Sequence, residues 1–265
     1  RVAAIDPATG AVRPGFSADA DSTVFQMSRA GSSLYLAGDF TAIGPTRRTR
    51  VAKVATATGA VDPSFAPSVD GRVLAVAATP DGSRAYIGGP YGTVNGVRDT
   101  DISTLDGRTG ATLGPELSGV TGFVDDLEVT PDGAQLIAGH SGVPGIGNRT
   151  AVYSTTTGTR RWRQEVDGDV QAVRLVGDRV FAGFHDGADG DGATRVASYD
   201  LMTGAPDPTF APLFDRFMGG WAIAGDSSAI VVAGSFGTVS GVPAEGFAIF
   251  PAAPPTPVVA RVPGS

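Results

Sequence analysis

Residues 73–96 read V-L-A-V-A-A-T-P-D-G-S-R-A-Y-I-G-G-P-Y-G-T-V-N-G. The small apolar residues of Val73–Ala77 predict a buried strand, and the alternating run Arg84–Gly88 predicts a second one. Between them, Pro80-Asp81-Gly82 supplies the fixed φ, the Asx turn and the positive-φ residue that a tight hairpin needs. The stretch therefore predicts an antiparallel hairpin built on small side chains.

This hairpin is one unit of a repeat. A third predicted strand, Asp101–Asp106, follows it and leads into a Thr-Gly pair. Thr-Gly pairs occur five times, and their glycines are 49, 51, 48 and 46 residues apart: Gly10, Gly59, Gly110, Gly158 and Gly204. A second glycine series closes the second strands: Gly38, Gly89, Gly139, Gly183 and Gly234. A period of about 40–50 residues with several short strands is typical of a β-propeller blade.

The predicted fold is therefore an all-β propeller with five visible repeats and four antiparallel strands per blade. The composition of 38 Gly and 19 Pro in 265 residues agrees with many short strands joined by turns. The propeller is predicted as one domain over residues 1–250, with repeats near 1–50, 51–100, 101–150, 151–195 and 196–250.

The number of blades stays open, because the sequence contains six third strands but only five first strands. Both 2–6 and 247–250 read as third strands. A propeller has to close, since an open ring leaves an unpaired edge. Either 11–16 supplies an outer strand to the last repeat of a five-bladed ring, or residues outside this sequence complete a six-bladed ring.

The outer segment of each repeat ends in a bulky side chain. We interpret these residues as plugs between blades: Phe16, Phe65, Leu117, Trp162 and Phe210. The proline-dense run 251–265 predicts a stiff linker or tail, which suggests that the propeller is one module of a longer multidomain chain. The alternative is a tail that wraps the edge of the ring.

Charge and cysteine content exclude several classes of function. A formal net charge of −7 argues against a nucleic-acid or anionic-membrane surface, since both require clustered cations. The absence of cysteine excludes disulfides, thiolate metal sites and a cysteine nucleophile. No stretch approaches the roughly 20 apolar residues of a membrane-spanning helix.

The repeat resembles a known family. The pattern at Ala37-Gly38-Asp39-Phe40, repeated at Gly88-Gly89-Pro90-Tyr91 and Ala233-Gly234-Ser235-Phe236, is similar to the delta-60 repeat family of bacterial β-propellers. The resemblance covers nearly the whole chain and weakens in the third and fourth repeats. It implies a module of a large secreted or surface protein, with no family-wide catalytic residues. A weaker resemblance of Thr157–Trp162 to quinoprotein-type propellers rests on one repeat.

Candidate ligand residues follow the second glycine series, where propeller loops form a rim. They are Asp39, Tyr91, His140 and His185, together with Asp125 and Asp126 at the start of the third first strand. Two histidines on neighbouring blades could share a site, because imidazole binds metals and exchanges protons near neutral pH. The alternative is that these histidines only replace ordinary loop residues.

The loop 185–192 spaces carboxylates between glycines. Asp186, Asp189 and Asp191 could converge on Ca²⁺, although the loop lacks the bidentate Glu of a helix-flanked calcium site. The alternative is a solvated Gly-Asp turn. Calcium is thus a possible ligand, and no other cofactor is indicated.

The sequence predicts a non-enzymatic binding or scaffolding module, secreted or displayed on a bacterial surface, that engages a protein or glycan at its loop rim. Its basis is that no catalytic constellation recurs among the repeats. The alternative is a carbohydrate-binding or carbohydrate-active propeller with acidic residues at the channel mouth, because paired carboxylates serve glycoside hydrolysis.

Overall fold

A computed structural model describes residues 2–99, 101–120, 122–142, 147–185 and 193–251. Within these ranges the chain forms strands, turns and loops but no helix, and so no helix that could cross a membrane. The sequence-based prediction of an all-β fold made of small antiparallel sheets is confirmed.

Five sheets follow one another along the chain, and each begins with a first strand that is hydrogen-bonded to a second and then a third. Sheet 1 contains β1 (Val24–Ala30), β2 (Ser33–Gly38) and β5 (Val51–Ala55). Sheet 2 contains β6 (Ala75–Ala78), β7 (Arg84–Gly89) and β10 (Asp101–Asp106). Sheet 3 contains β11 (Phe123–Val129), β12 (Gln135–Ser141), β13 (Arg149–Ser154) and β14 (Arg160–Glu165). Sheet 4 contains β15 (Val170–Val176), β16 (Arg179–Phe184) and β18 (Val196–Asp200). Sheet 5 contains β20 (Gly219–Gly225), β21 (Ala229–Ser235) and β24 (Phe247–Pro251).

Short strands lie in the connections between the strands of the five sheets. Two of these connections form ribbons, β3 (Ala42–Ile43) with β4 (Thr46–Arg47) and β8 (Thr93–Val94) with β9 (Val97–Arg98). A further small sheet has the order β17 (Ala193–Thr194), β19 (Leu213–Phe214), β22 (Thr238–Val239) and β23 (Val242–Pro243).

The hairpin predicted from residues 73–96 is present. Strands β6 and β7 pair antiparallel, with Val76 opposite Ile87. In the turn between them, the Asp81 carboxylate accepts a hydrogen bond from the Ser83 backbone N–H at 3.0 Å, and Gly82 has φ +68°. Asx chemistry and a positive-φ glycine thus close this turn, as the sequence indicates.

The sheets pack face to face through their apolar side chains. First strands contact each other in order, β1 with β6, β6 with β11, β11 with β15 and β15 with β20. Each junction encloses a buried cluster; between sheets 1 and 2 it contains Tyr35, Val51, Val76 and Ile87. Residues 2–20 cover the opposite face of sheet 1, where Ala18 and Ala20 are buried.

The bulky residues that end the outer segments are packed between sheets, as predicted. Phe65 is fully buried in the cluster of sheets 1 and 2 and meets the Tyr35 ring edge-on at 5.3 Å. Trp162 belongs to the cluster of sheets 3 and 4. Phe210 contacts Phe181 of sheet 4 and Phe250 of sheet 5.

Four strands per sheet is wrong for most of the described chain, because only sheet 3 has a complete outer strand there. In sheets 1, 2 and 4 the outer segment pairs through single bridges, such as Val54 with Val61 and Tyr199 with Pro206. Proline interrupts these segments and cannot donate to a ladder, as at Pro63 and Pro208. The outer strand of sheet 3 contains no proline and forms fully.

The five Thr-Gly pairs form the same turn. At each, the glycine has positive φ and its N–H donates to a carbonyl four residues earlier, as Gly59 does to Ala55 at 2.8 Å. The turn also docks on the preceding repeat, since the Ser17 N–H donates to the Thr58 carbonyl at 2.9 Å. A Cβ on Gly59 would lie 2.3 Å from the Ser17 carbonyl oxygen.

We expect Gly59→Ala to destabilise the protein more than Gly10→Ala. Both glycines have similar φ, +77° and +70°, so both substitutions share a backbone cost of about 1–2 kcal/mol. Only Gly59 faces backbone, whereas nothing lies within 4 Å of a Cβ at Gly10. Overpacking should therefore add about 1–3 kcal/mol at Gly59. Urea unfolding measures the difference; equal losses for the two variants would contradict docking through this turn.

Candidate functional site

The same irregularity occurs at the start of four first strands. The pairing with the second strand skips one residue in sheets 1, 3, 4 and 5. The unpaired residues, which we call the bulge residues, are Phe25, Asp125, Gln171 and Trp221. A β-bulge turns the extra side chain away from the regular pleat and is often found beside functional sites. Because the four bulges share one register, these side chains leave the sheets at corresponding positions.

Close backbone approach restricts the strands around the bulges of sheets 1 and 5. Opposite the bulge in sheet 1 stands Gly38, where a Cβ would lie 2.1 Å from the Thr23 carbonyl oxygen. Gly234 takes this place in sheet 5, and a Cβ there would lie 1.9 Å from the Gly219 carbonyl oxygen. These contacts hold the strands, whereas the bulge residue itself varies among Phe, Asp, Gln and Trp.

The glycine series is shifted by one position in sheets 3 and 4. His140 pairs with Val124 and Phe184 with Val170, in the register that Gly38 has in sheet 1. Gly139 and Gly183, which the sequence aligns with Gly38, pair one step further along. Glycine spacing alone could not detect this shift. The second strands of sheets 1, 3 and 4 all contain a Gly followed by a larger residue near their ends, so they look alike in the sequence.

In sheet 1 the bulge residue forms a patch with a predicted site residue. The Phe25 ring centre is 5.4 Å from the Arg72 guanidinium carbon, and the Arg72 guanidinium pairs with Asp39 at 2.9 Å. Arg72 and Phe25 are exposed, and this placement gives the patch an aromatic face, a cation and a carboxylate together. Asp39 was predicted from the sequence, but Phe25 and Arg72 were not.

A second group of side chains surrounds the bulge of sheet 3. The Asp125 carboxylate accepts a hydrogen bond from the Ser141 hydroxyl, and Asp169 accepts one from the Gly142 N–H at 3.2 Å. His185 Nε2 is 4.0 Å from Asp169, and its ring lies 4.7 Å from that of Phe217. We call Asp125, Ser141, Asp169 and His185 the rim cluster.

Burial raises the pKa of Asp125 above its usual range, and the charge of Asp169 raises it further, against the opposing effect of the Ser141 hydrogen bond. The structure therefore brings together two predicted site residues, Asp125 and His185, with Asp169 and Ser141, which the sequence did not single out. Two acids beside one histidine form a site that can accept hydrogen bonds from a polar ligand or donate them to it.

Asp126 points away from the rim cluster into a cavity of about 630 Å³ between the first strands. Its carboxylate accepts hydrogen bonds from Gln26 of sheet 1, from the Leu127 N–H at 2.9 Å and from the Val173 N–H of sheet 4 at 2.7 Å. Gln26 in turn accepts one from the Val76 N–H of sheet 2 at 2.6 Å. Burial raises the pKa of Asp126 to about 7 in spite of these donors.

Glu128 repeats this arrangement two residues further along β11. It accepts a hydrogen bond from the Leu175 N–H at 2.7 Å and lies 3.4 Å from the Arg174 guanidinium. Burial raises the pKa of this carboxyl as well. Both acidic side chains of the cavity are therefore engaged in linking sheets 3 and 4 through backbone donors.

Two predicted rim residues are inside the protein. His140 is fully buried, its Nε2 lies 3.2 Å from the Tyr153 hydroxyl, and burial lowers its pKa to about 3. Tyr91 is buried, with its hydroxyl donating to the Ile87 carbonyl at 2.9 Å and lying 2.9 Å from the Ser103 hydroxyl. The sequence-based prediction required both side chains to be exposed at the rim, and neither is.

The predicted calcium ligands Asp186, Asp189 and Asp191 lie outside the described residues. Among the residues that the structure describes, no group of three or more His, Asp or Glu side chains is arranged to hold a metal ion. Calcium binding by this loop therefore stays a prediction.

The residues that sequence reasoning missed carry one weak signal. In three of the four sheets with a bulge, a Val stands directly before the bulge residue: Val24-Phe25, Val124-Asp125 and Val170-Gln171. Aligning these pairs would have marked the variable position. It would not have revealed that this residue leaves the ladder, which depends on the partner strand.

Comparisons with known proteins extend this description at the level of the fold. No protein-family model and no curated protein sequence matches the chain. The computationally designed Ika8 protein is similar in structure, with a TM-score of 0.58 and 18% identity over 92% of this chain and 63% of that chain. Hydrazine synthase of Kuenenia stuttgartiensis is similar with a TM-score of 0.55 and 17% identity over 82% of this chain and 57% of that chain.

The chain thus spans about three fifths of the length of these two structures. At such identities the similarity concerns the fold alone. Membership of the delta-60 repeat family stays a prediction.

We expect His140→Gln to reduce the loss of stability on acidification. With its pKa lowered to about 3, folded His140 does not bind the proton that the unfolded chain takes up near pH 6.5, so stability falls as the pH drops between these values. The slope should fall by up to about 1.4 kcal/mol per pH unit in the variant. Urea unfolding between pH 7 and pH 4 measures it, with His185→Gln as the control; parallel curves for His140→Gln and wild type would contradict the assignment.

Gln26→Met should cost about 1–3 kcal/mol of unfolding free energy, because it removes the acceptor of the Val76 N–H and one donor to Asp126. Arg29→Met on the same strand is the matched control, since Arg29 bonds only locally to the Gly31 carbonyl among the described residues. Its effect should stay within about 0.5 kcal/mol. Guanidinium unfolding of both variants tests whether Gln26 joins the sheets.

Proposed function

We propose that the chain forms a β-propeller, with five blades or most of a six-bladed ring, that acts as a non-enzymatic binding or scaffolding module. Sheets 1 to 5 would be successive blades, and their contacting first strands would line the channel. The repeated order of three strands and a Thr-Gly turn supports this proposal, as does the packing of each sheet on the next.

The observation that carries a binding function is the row of bulge residues. The shared bulge register presents Phe25, Asp125, Gln171 and Trp221 in equivalent positions, and these side chains are aromatic, acidic or amide. Recognition surfaces use such variable residues on rigid scaffolds. Trp and other aromatic residues are also enriched among the side chains that dominate binding energy at interfaces.

The engagement of the cavity acids supports a non-enzymatic role. General acid or base chemistry requires a carboxyl within hydrogen-bond reach of a substrate. Asp126 and Glu128 instead accept hydrogen bonds from backbone N–H groups of the neighbouring sheet. Their positions serve the joining of sheets.

Exposed aromatic residues favour a glycan as the ligand over a flat protein surface. The Phe25 ring, together with Arg72 and Asp39, combines an apolar face with charged hydrogen-bonding groups, and Trp221 presents a second ring at the corresponding place in sheet 5. Aromatic faces pack on the apolar faces of sugar rings, while charged groups bind hydroxyls. The net charge of −7 fits a neutral or weakly basic ligand.

We place the module in a secreted or surface-displayed bacterial protein, as part of a longer multidomain chain. This placement rests on the resemblance to the delta-60 repeats. A protein partner at the same edge is the second possibility, supported by the same bulge residues.

A glycan array and a panel of purified candidate proteins test the proposal directly. The double variant Phe25→Ala and Trp221→Ala should lose binding by about tenfold or more, as for truncation of a central aromatic contact. Met202→Ala is the control, because Met202 and Trp221 are equally exposed, at 52%, and Met202 lies beside the Thr203-Gly204 turn. Ligands that bind the double variant and wild type equally would place recognition elsewhere.

A further inference from the structure

One face of sheet 5 is apolar and exposed. Cross-strand pairs place Ala222 opposite Ala233, Val231 opposite Ile249, and Ala233 opposite Phe247, so these side chains share a face. Phe247 is 54% exposed and Ile249 is 64% exposed. The other face of the sheet, with Ile230 and Val232, is buried against sheet 4.

Equivalent positions are covered in the other four sheets. The counterparts of Phe247 are buried, and they are Val51, Ile102, Thr150 and Val196. The counterparts of Val231 are buried as well, and they are Tyr35, Tyr86, Ile137 and Phe181. In each case the next sheet supplies the cover. Between sheets 1 and 2, the covering side chains are Val76 and Ala78 of the first strand and Ala85 and Ile87 of the second.

The bulge residue takes part in the same junction. Phe25 of sheet 1 contacts Arg72, which stands just before the first strand of sheet 2. Trp221 occupies the place of Phe25 in sheet 5 and is exposed. The open face and Trp221 together form one half of a junction between sheets. At the four junctions between sheets 1 and 5, both halves are present.

We infer that this face binds a further antiparallel strand pair of the same repeat, carrying small apolar residues on the side it presents. The four existing junctions define the occupant. In them, the counterparts of Val231 and Phe247 are covered by the first and second strands of the next sheet. Placing Val76, Ala78 and Ile87 of such a pair over Val231 and Phe247 would restore the contact seen between sheets 1 and 2.

A second copy of the chain does not offer this partner in the same geometry. The matching half on another copy would be the face of sheet 1 that carries Leu36. That face already packs against Ala18, Ala20 and Phe16 of its own chain. Association of two copies in the repeat geometry would have to displace residues 2–20.

The test appends a copy of residues 71–91, which contains Arg72, β6 and β7, to the full chain after Ser265. The 14 residues 252–265 then join Pro251 to the copy and can span at most about 50 Å, which is enough to reach the face of the same sheet. Tethering raises the local concentration of the pair at the face.

Trp221 reports occupancy, with a Trp221→Phe version measuring the contribution of buried Trp162. Occupation should shift the Trp221 emission to shorter wavelength and reduce acrylamide quenching, because Arg72 of the copy would pack on the ring as it packs on that of Phe25. The melting temperature should rise by about 5 °C. An extended chain with unchanged Trp221 emission and melting temperature would overturn the inference.

Two matched variants make the readout specific. A copy carrying Val76→Glu and Ile87→Glu should produce no shift, and neither should the intact copy on a chain carrying Phe247→Glu and Ile249→Glu. Both chain positions are exposed, so these substitutions should leave the fold intact. A shift that persists in either variant would show binding elsewhere and overturn the inference.

Light scattering of the unextended chain tests the competing occupant. We expect a monomer for the wild type and for the Phe247→Glu, Ile249→Glu variant. A wild-type dimer that this variant dissociates would show that a second copy covers the face, and would overturn the proposal of a strand pair.

Discussion

Each sheet of this protein is apolar on both faces and only three or four strands wide, so it depends on its neighbours for burial. In sheet 1, Tyr35 points towards sheet 2 while Leu36 points towards residues 18–20, and both side chains are fully buried. A sheet of this size buries too little surface to be stable alone. The repeat therefore has to present complementary halves on its two faces, and sheet 5 leaves one such half exposed.

The same dependence explains where side chains are free to vary. Close approach of neighbouring strands requires glycine at Gly38 and Gly234, and hydrogen bonds from first strand to first strand hold Gln26, Asp126 and Glu128. The bulge residues escape both restrictions because they leave the ladder. A binding surface at this edge can change its chemistry without disturbing the junctions that hold the sheets together, which is the physical basis for the proposed function.

Much of the fold was predictable, because turn chemistry and strand alternation are local. Pro80-Asp81-Gly82 specified a hairpin, and the Thr-Gly pairs specified turns, through backbone preferences that the residues carry with them. The candidate site was predictable only in part. Asp125 and His185, which the sequence singled out, lie in one cluster, but His140 and Tyr91 are buried. His140 is buried because the register of sheet 3 places it in the ladder opposite Val124, and Tyr91 is buried like Phe40 and Phe236 at the same place in their repeats.

The sequence by itself determined the period, the hairpins, the turns and the apolar faces, since each follows from the φ preferences of Gly and Pro and from the alternation of side chains. Tertiary structure decided the rest. It paired Phe25 with Arg72, brought Asp169 to Asp125 and His185, and directed Asp126 to Gln26, 100 residues away in the chain. Such contacts join residues from different repeats, and the geometry between sheets that creates them is not recorded in the local pattern of any one repeat.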